Sequence, residues 1–244
     1  MMGKKTTRIV AILLFIIGAV IGIALQGITF VGDFEAMRFG ATYRFDNPLR
    51  NLACPIIITD KETSRVAVTL TNTSDRSIEF RFRTYISQGS ATLITEDNTA
   101  LSLEAGETGA IYWTITPDDV AFERLILVKI RRFPRYGFPA SEGACGVFYL
   151  KTTLLTGDQV FFSLAAIALF FMVVGVVLWA LSNRPLKGSA LGWFANMLGL
   201  GVCIVAGTTI GMTGNWMLGG IILVITLLLA LSITAYYLIR FESQ

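Results

Sequence analysis

Four stretches contain no Asp, Glu, Lys or Arg: Ile9–Phe30, Val160–Leu181, Ala190–Ile210 and Met217–Ile239. Each is close to the ~20 residues that a helix needs to cross ~30 Å of hydrocarbon. A chain in lipid must satisfy every backbone N–H and C=O internally, so four membrane-spanning helices are expected. With 54% hydrophobic and only 15% charged residues, the chain is too apolar for one ordinary soluble domain, and the excess sits in these runs.

The first run follows Lys4, Lys5 and Arg8, as a secretory signal would. A cleavable signal has an apolar core of roughly 7–15 residues. Here the core continues through Ile23, Leu25 and Ile28, so it reads as a retained anchor. Orientation follows from the short flanks, where Lys and Arg favour the cytoplasm. Lys4, Lys5, Arg8, Arg184, Lys187 and Arg240 fall on one side of a four-crossing chain, opposed there only by Glu242. The expected protein is multi-pass in the cell membrane, with both termini cytoplasmic and the long segment between the first two runs extracytoplasmic. The net charge of +3 reports this topology and gives no reason to invoke nucleic acid.

The expected division is 1–31 for the amino-terminal flank and first helix, 32–157 for the outer domain, and 158–244 for the remaining helices. The outer segment alternates with period two. Val66, Val68 and Leu70 alternate with Arg65, Ala67, Thr69 and Thr71, Ile78, Phe80 and Phe82 alternate with Glu79, Arg81 and Arg83, and Asn72-Thr73-Ser74-Asp75 between them has turn chemistry. Asn72-Thr73-Ser74 also fits a glycosylation acceptor, but is read as part of the turn. Further strands are expected over 55–59, 91–95, 101–103, 110–116, 122–131 and 146–152. Turns are expected at Glu96-Asp97-Asn98, at Glu104-Ala105-Gly106-Glu107 and at Pro117-Asp118-Asp119. About seven short strands at this spacing predict two antiparallel sheets packed face to face. The fold class is therefore α+β: four transmembrane helices with an antiparallel β-sandwich inserted between the first and second.

The run VAVTLTNTSDRSIEFRF, followed by LSLEAGETGAIYWTIT, resembles the immunoglobulin-like β-sandwich modules of bacterial and archaeal surface proteins. The resemblance covers 55–150 and implies a role in adhesion, assembly or spacing. In topology alone, one helix, a large sheet domain and three helices are similar to the claudin-like proteins, whose tryptophan-rich motif before two close cysteines is absent here.

Cys54 precedes the first expected strand and Cys145 the last, so an oxidising outer compartment predicts a disulfide between them; the alternative is two free thiols. Cys203 lies in the third apolar run and reads as an apolar packing residue. The chain has no histidine, which removes histidine-based triads and most zinc sites. Phosphate-binding loops, paired-glycine dinucleotide motifs and Cys-x-x-Cys are also absent from the sequence. Asp118-Asp119 and Glu96-Asp97 read as solvated turn acids. No catalytic residue, metal or cofactor is expected, and the chain is not read as an enzyme.

The apolar runs hold few polar side chains, among them Gln26, Ser163, Asn196, Thr208, Thr209, Ser232 and Thr234. Coupled transport usually marks its path with ionisable groups inside the bundle, so a transporter or channel component ranks last. Gly18 and Gly22, and Gly207 and Gly211, form small-xxx-small pairs that let helix backbones approach, as Gly188 and Gly192 do at a cytoplasmic edge. Trp193, Trp216, Tyr236 and Tyr237 near run ends suit the membrane interface.

The most unusual stretch is Lys129-Ile130-Arg131-Arg132-Phe133-Pro134-Arg135-Tyr136-Gly137-Phe138-Pro139. It is either a hairpin loop whose aromatics fold onto the sandwich or a contact site for a partner's acidic surface or anionic headgroups. Its candidate contact residues are Arg131, Arg132, Phe133, Arg135, Tyr136 and Phe138. The expected function is a non-enzymatic accessory or assembly subunit, its helices packed beside other membrane subunits and its outer domain touching a partner. The next reading is a surface receptor or adhesion protein whose sandwich binds glycan or protein.

Overall fold

The computed structural model describes residues 4–39, 47–49 and 51–242, with the side chains of 90–93 and 236–242 left aside. In chain order the elements are α1 (Lys4–Arg38), β1 (Leu52–Ala53), β2 (Ile57–Thr59), β3 (Ser64–Thr71), β4 (Ile78–Gln88), β5 (Ser90–Leu103), β6 (Thr108–Ile115), a 3-10 turn at Pro117–Asp119, β7 (Leu125–Arg132), β8 (Ser141–Leu150), α2 (Gly157–Ser182), α3 (Ser189–Gly211) and α4 (Trp216–Glu242). The protein is α+β, and all four helices are long and apolar enough to cross a bilayer. It divides into a helical unit, Met1–Phe30 with Phe161–Gln244, and a β unit, Val31–Val160.

The β unit has two sheets, ordered β1-β3-β6 and β2-β8-β7-β4-β5. Period-two alternation explains how they share a core. Val66, Val68 and Leu70 of β3 and Trp113 and Ile115 of β6 meet Phe80, Phe82 and Ile86 of β4, Ile126, Val128 and Ile130 of β7 and Val147 of β8. Each large side chain removed from water contributes ~1.5–3 kcal/mol. The larger sheet is mixed rather than antiparallel throughout, because β2 joins β8 in parallel, Ile57 opposite Phe148.

Three other expectations are corrected. Glu96-Asp97-Asn98 does not turn but continues through β5, which borders β4 alone; an edge strand with exposed side chains accommodates polar residues. Phe122 and Glu123 have positive φ and form a turn, so β7 begins at Leu125. β8 begins at Ser141, not Gly146, because Glu142 and Gly143 already pair with Arg131 and Ile130.

α1 continues about two turns past the apolar run, and that extension belongs to the β unit. It explains why β7, LILVKIRR, is buried on both faces. Ala36 and Phe39 cover Leu125 and Leu127 on the face opposite the shared core. Gly32 and Gly146 let two backbones meet: a Cβ on Gly146 would lie 2.0 Å from the Gly32 carbonyl oxygen. Gly146 also donates its N–H to the buried Asp33 carboxylate at 3.4 Å.

In the helical unit, Ala11, Phe15 and Ala19 of α1 pack with Met172 and Trp179 of α2 and Met197, Leu200 and Ile204 of α3.

Candidate partner-contact site

The β7–β8 hairpin builds the site. Its tip is closed by Arg135 donating its N–H to the Phe138 carbonyl at 3.0 Å and Phe138 returning the bond to Arg135 at 2.8 Å. The central residues Tyr136 and Gly137 have φ of 38° and 83°, the paired positive values of a type I′ turn. Pro134 and Pro139 flank the tip and lack the N–H that would extend the ladder.

The candidate contact residues separate into two groups. Phe138 folds inward, edge-on to Phe80 with ring centroids 5.1 Å apart, against the shared core. Arg132 lies over both rings, at 5.8 Å from Phe80 and 5.6 Å from Phe138, and donates Nη2–H to the Pro139 carbonyl at 3.1 Å. Partial burial holds its pKa below the ordinary value. These two residues shape the loop.

The others face outward. Arg83 and Arg131 stand opposite one another across β4 and β7, with guanidinium carbons 5.4 and 5.8 Å from the Phe133 ring centroid. Tyr136 is flanked by Arg76 at 5.0 Å and Arg135 at 4.9 Å. A groove of about 680 Å³ runs along β4 beneath the loop, lined by Arg81, Arg83, Arg135, Phe133, Asn98 and Glu79 among others. Glu79 pairs with Arg81 at 2.7 Å and Glu96 with Arg83 at 3.0 Å. The hydrogen bond from Arg81, then its charge, holds the Glu79 carboxyl below its ordinary value. Among the described residues, Arg131 and Arg135 have no carboxylate within 4.0 Å, so the rim keeps a positive excess.

Within the β unit, this rim stands far from the start of α2. The loop joins the end of β7 to the start of β8, whereas α2 follows the other end of β8. The 10 residues of β8 span about 30 Å at ~3.3 Å each. At that far end Glu62 accepts the Gly157 N–H at 2.8 Å and the Thr59 hydroxyl at 3.1 Å, holding the first turn of α2 against β2.

Cys54 and Cys145 form a disulfide with Cα atoms 6.5 Å apart. Cys54 lies between β1 and β2, and Cys145 sits within β8 rather than before it. The paired glycines of α1 and α3 meet the chain's own helices: Gly18 meets Ala168 and Met172, Gly22 meets Ile204, Gly207 meets Gln26, and Gly211 meets Thr29. Gly188 and Gly192 meet nothing within 4 Å. Asp119 accepts the Thr116 N–H at 2.8 Å, closing the 3-10 turn.

Sequence reasoning missed the ion pair between Lys129 and Glu142, 3.1 Å apart, whose side chains are 2% and 7% exposed. The available signal was one lysine inside LILVKI, an otherwise apolar strand. No protein-family model matches the chain, and no curated protein matches its sequence.

Proposed function

We propose that this protein is a non-enzymatic accessory subunit of a larger membrane complex. Its four helices pack laterally in the cell membrane, and its β unit is an immunoglobulin-like sandwich outside the cytoplasm that contacts a partner protein. The observation that carries the reading is the arginine- and aromatic-rimmed groove at the end of the sandwich farthest from α2. An arginine-rich rim suits an acidic surface on a neighbouring protein. An exposed tyrosine and a half-buried phenylalanine, both braced by arginines, suit an interface centre. The basic flanks of the helices support the sidedness, as does the disulfide, which persists in oxidising compartments.

The test is purification of the full chain in mild detergent, beside Arg83→Ser/Arg131→Ser/Arg135→Ser. The wild-type chain is expected to recover another membrane protein in fixed ratio, with recovery falling as salt rises, because exposed charges are screened beyond ~10 Å at 0.1 M. The triple variant is expected to lose that companion. Equal recovery by both chains removes the groove from the proposal, and a lone monomer that binds glycan or another cell favours a surface receptor.

A further inference from the structure

The β unit carries a second exposed patch, chemically opposite to the groove. Leu154 is 88% exposed and Leu155 50%, in the link between β8 and α2; Leu150, at the end of β8, is 43% exposed. Phe122 is 57% exposed in the turn that precedes β7. Arg124 in that turn accepts the Tyr149 N–H at 2.9 Å, which holds the turn beside the end of β8. Large apolar side chains therefore collect at the end of the sheet from which α2 departs, where water alone would disfavour them.

We infer that Leu154, Leu155 and Phe122 insert into the interfacial layer of the bilayer and seat this end of the β unit on lipid. The occupant follows from chain reach. Gly157 lies three residue steps after Leu154, and at most ~3.6 Å per step keeps Leu154 within about 11 Å of the start of α2. Each headgroup layer is about 6 Å deep, from ~40–45 Å of bilayer around ~30 Å of hydrocarbon. A leucine tethered so close to a membrane helix meets lipid before it can meet a distant partner. Lys61, Arg124 and Lys151 are exposed around the same end, where long basic side chains can reach phosphates while apolar neighbours go deeper. Of the acids at this end, Asp60 is engaged by the Tyr149 hydroxyl and Glu62 by Gly157, while Glu123 and Asp158 are exposed beside the three basic side chains.

This inference rests on the proposed membrane placement of the helices, and the experiment separates the two. In the full chain carrying Cys203→Ser, single cysteines are introduced as Leu154→Cys, Leu155→Cys or Phe122→Cys, with Tyr136→Cys as the water-facing control and Phe170→Cys as the lipid-facing control in α2. Each is spin-labelled and reconstituted in vesicles of mixed phosphatidylcholine and phosphatidylglycerol. All five positions are exposed, and a native disulfide on a non-reducing gel confirms folding. The ratio of collision with oxygen to collision with a water-soluble nickel chelate is expected to be several-fold higher at Leu154, Leu155 and Phe122 than at Tyr136. If the leucine sites match Tyr136 while Phe170 reads as lipid, the inference is overturned and the membrane placement stands. If Phe170 also reads as water, both fall.

Discussion

The side-chain amide of Asn72 is fully buried and donates to the carbonyls of Arg76 at 2.7 Å, Leu103 at 2.9 Å and Glu104 at 3.0 Å, while its oxygen accepts from the Ser74 N–H and hydroxyl. One residue thus ties the β3–β4 turn to the β5–β6 turn, and the engaged nitrogen explains why the Asn-Thr-Ser triplet is turn chemistry rather than an acceptor on the surface. Asn72→Ala strands buried carbonyls and is expected to cost about 1–3 kcal/mol in denaturant unfolding. The buried Lys129–Glu142 pair makes a sharper prediction. Lys129→Met leaves a carboxylate in the interior and is expected to cost about 3–5 kcal/mol, whereas Lys129→Met with Glu142→Leu costs distinctly less, because a matched apolar pair needs no desolvation of charge. A double variant as unstable as the single one would contradict that account. The hydroxyl of Tyr149 donates to Asp60, which raises its pKa above the ordinary value of 10.0. Below pH 10 the proton is present in folded and unfolded chains alike and the bond contributes fully; above it the unfolded chain releases the proton first, so stability falls as pH rises. Tyr149→Phe is expected to flatten that alkaline slope in a series of melts.

Among the elements, the alternating strands β3, β4 and β6 were legible because one face of each is buried and the other solvated, a pattern set residue by residue. β7 was not legible as a doubly covered strand, since its second face depends on Ala36 and Phe39, remote in sequence. β5 was broken wrongly at Glu96-Asp97-Asn98 because local polarity cannot distinguish a turn from an edge strand. The extension of α1 was missed for a related reason: GDFEAMR lacks an apolar span, and what keeps it helical is packing against the β unit. Gly146→Ala tests this packing. Its Cβ would strike backbone rather than a mobile side chain, so a loss of about 1–3 kcal/mol is expected in denaturant unfolding of the β unit. In the helical unit, Gly22→Leu is expected to lower the melting temperature in detergent, because its Cβ would lie 2.4 Å from Ile204, while Gly192→Ala leaves it unchanged.

For the molecule as a whole, the Cys54–Cys145 bond closes a loop over a separation of 91 residues, and Cys54→Ser/Cys145→Ser is expected to lose about 2–4 kcal/mol. The proposed sidedness predicts that protease added to sealed, right-side-out vesicles cuts within the β unit and spares both chain ends; the reverse pattern would overturn it. The number of long apolar helices, and the presence of a sheet-forming segment after the first, were readable from the residues because runs free of charge and period-two burial are written along the chain itself. The sorting of the basic loop into an inward pair, Arg132 and Phe138, and an outward group beside Arg83 required the folded sheets. So did the distance between groove and α2 and the pairing of Lys129 with Glu142, because each arises from strand register and sheet order, which bring together side chains that no local pattern relates.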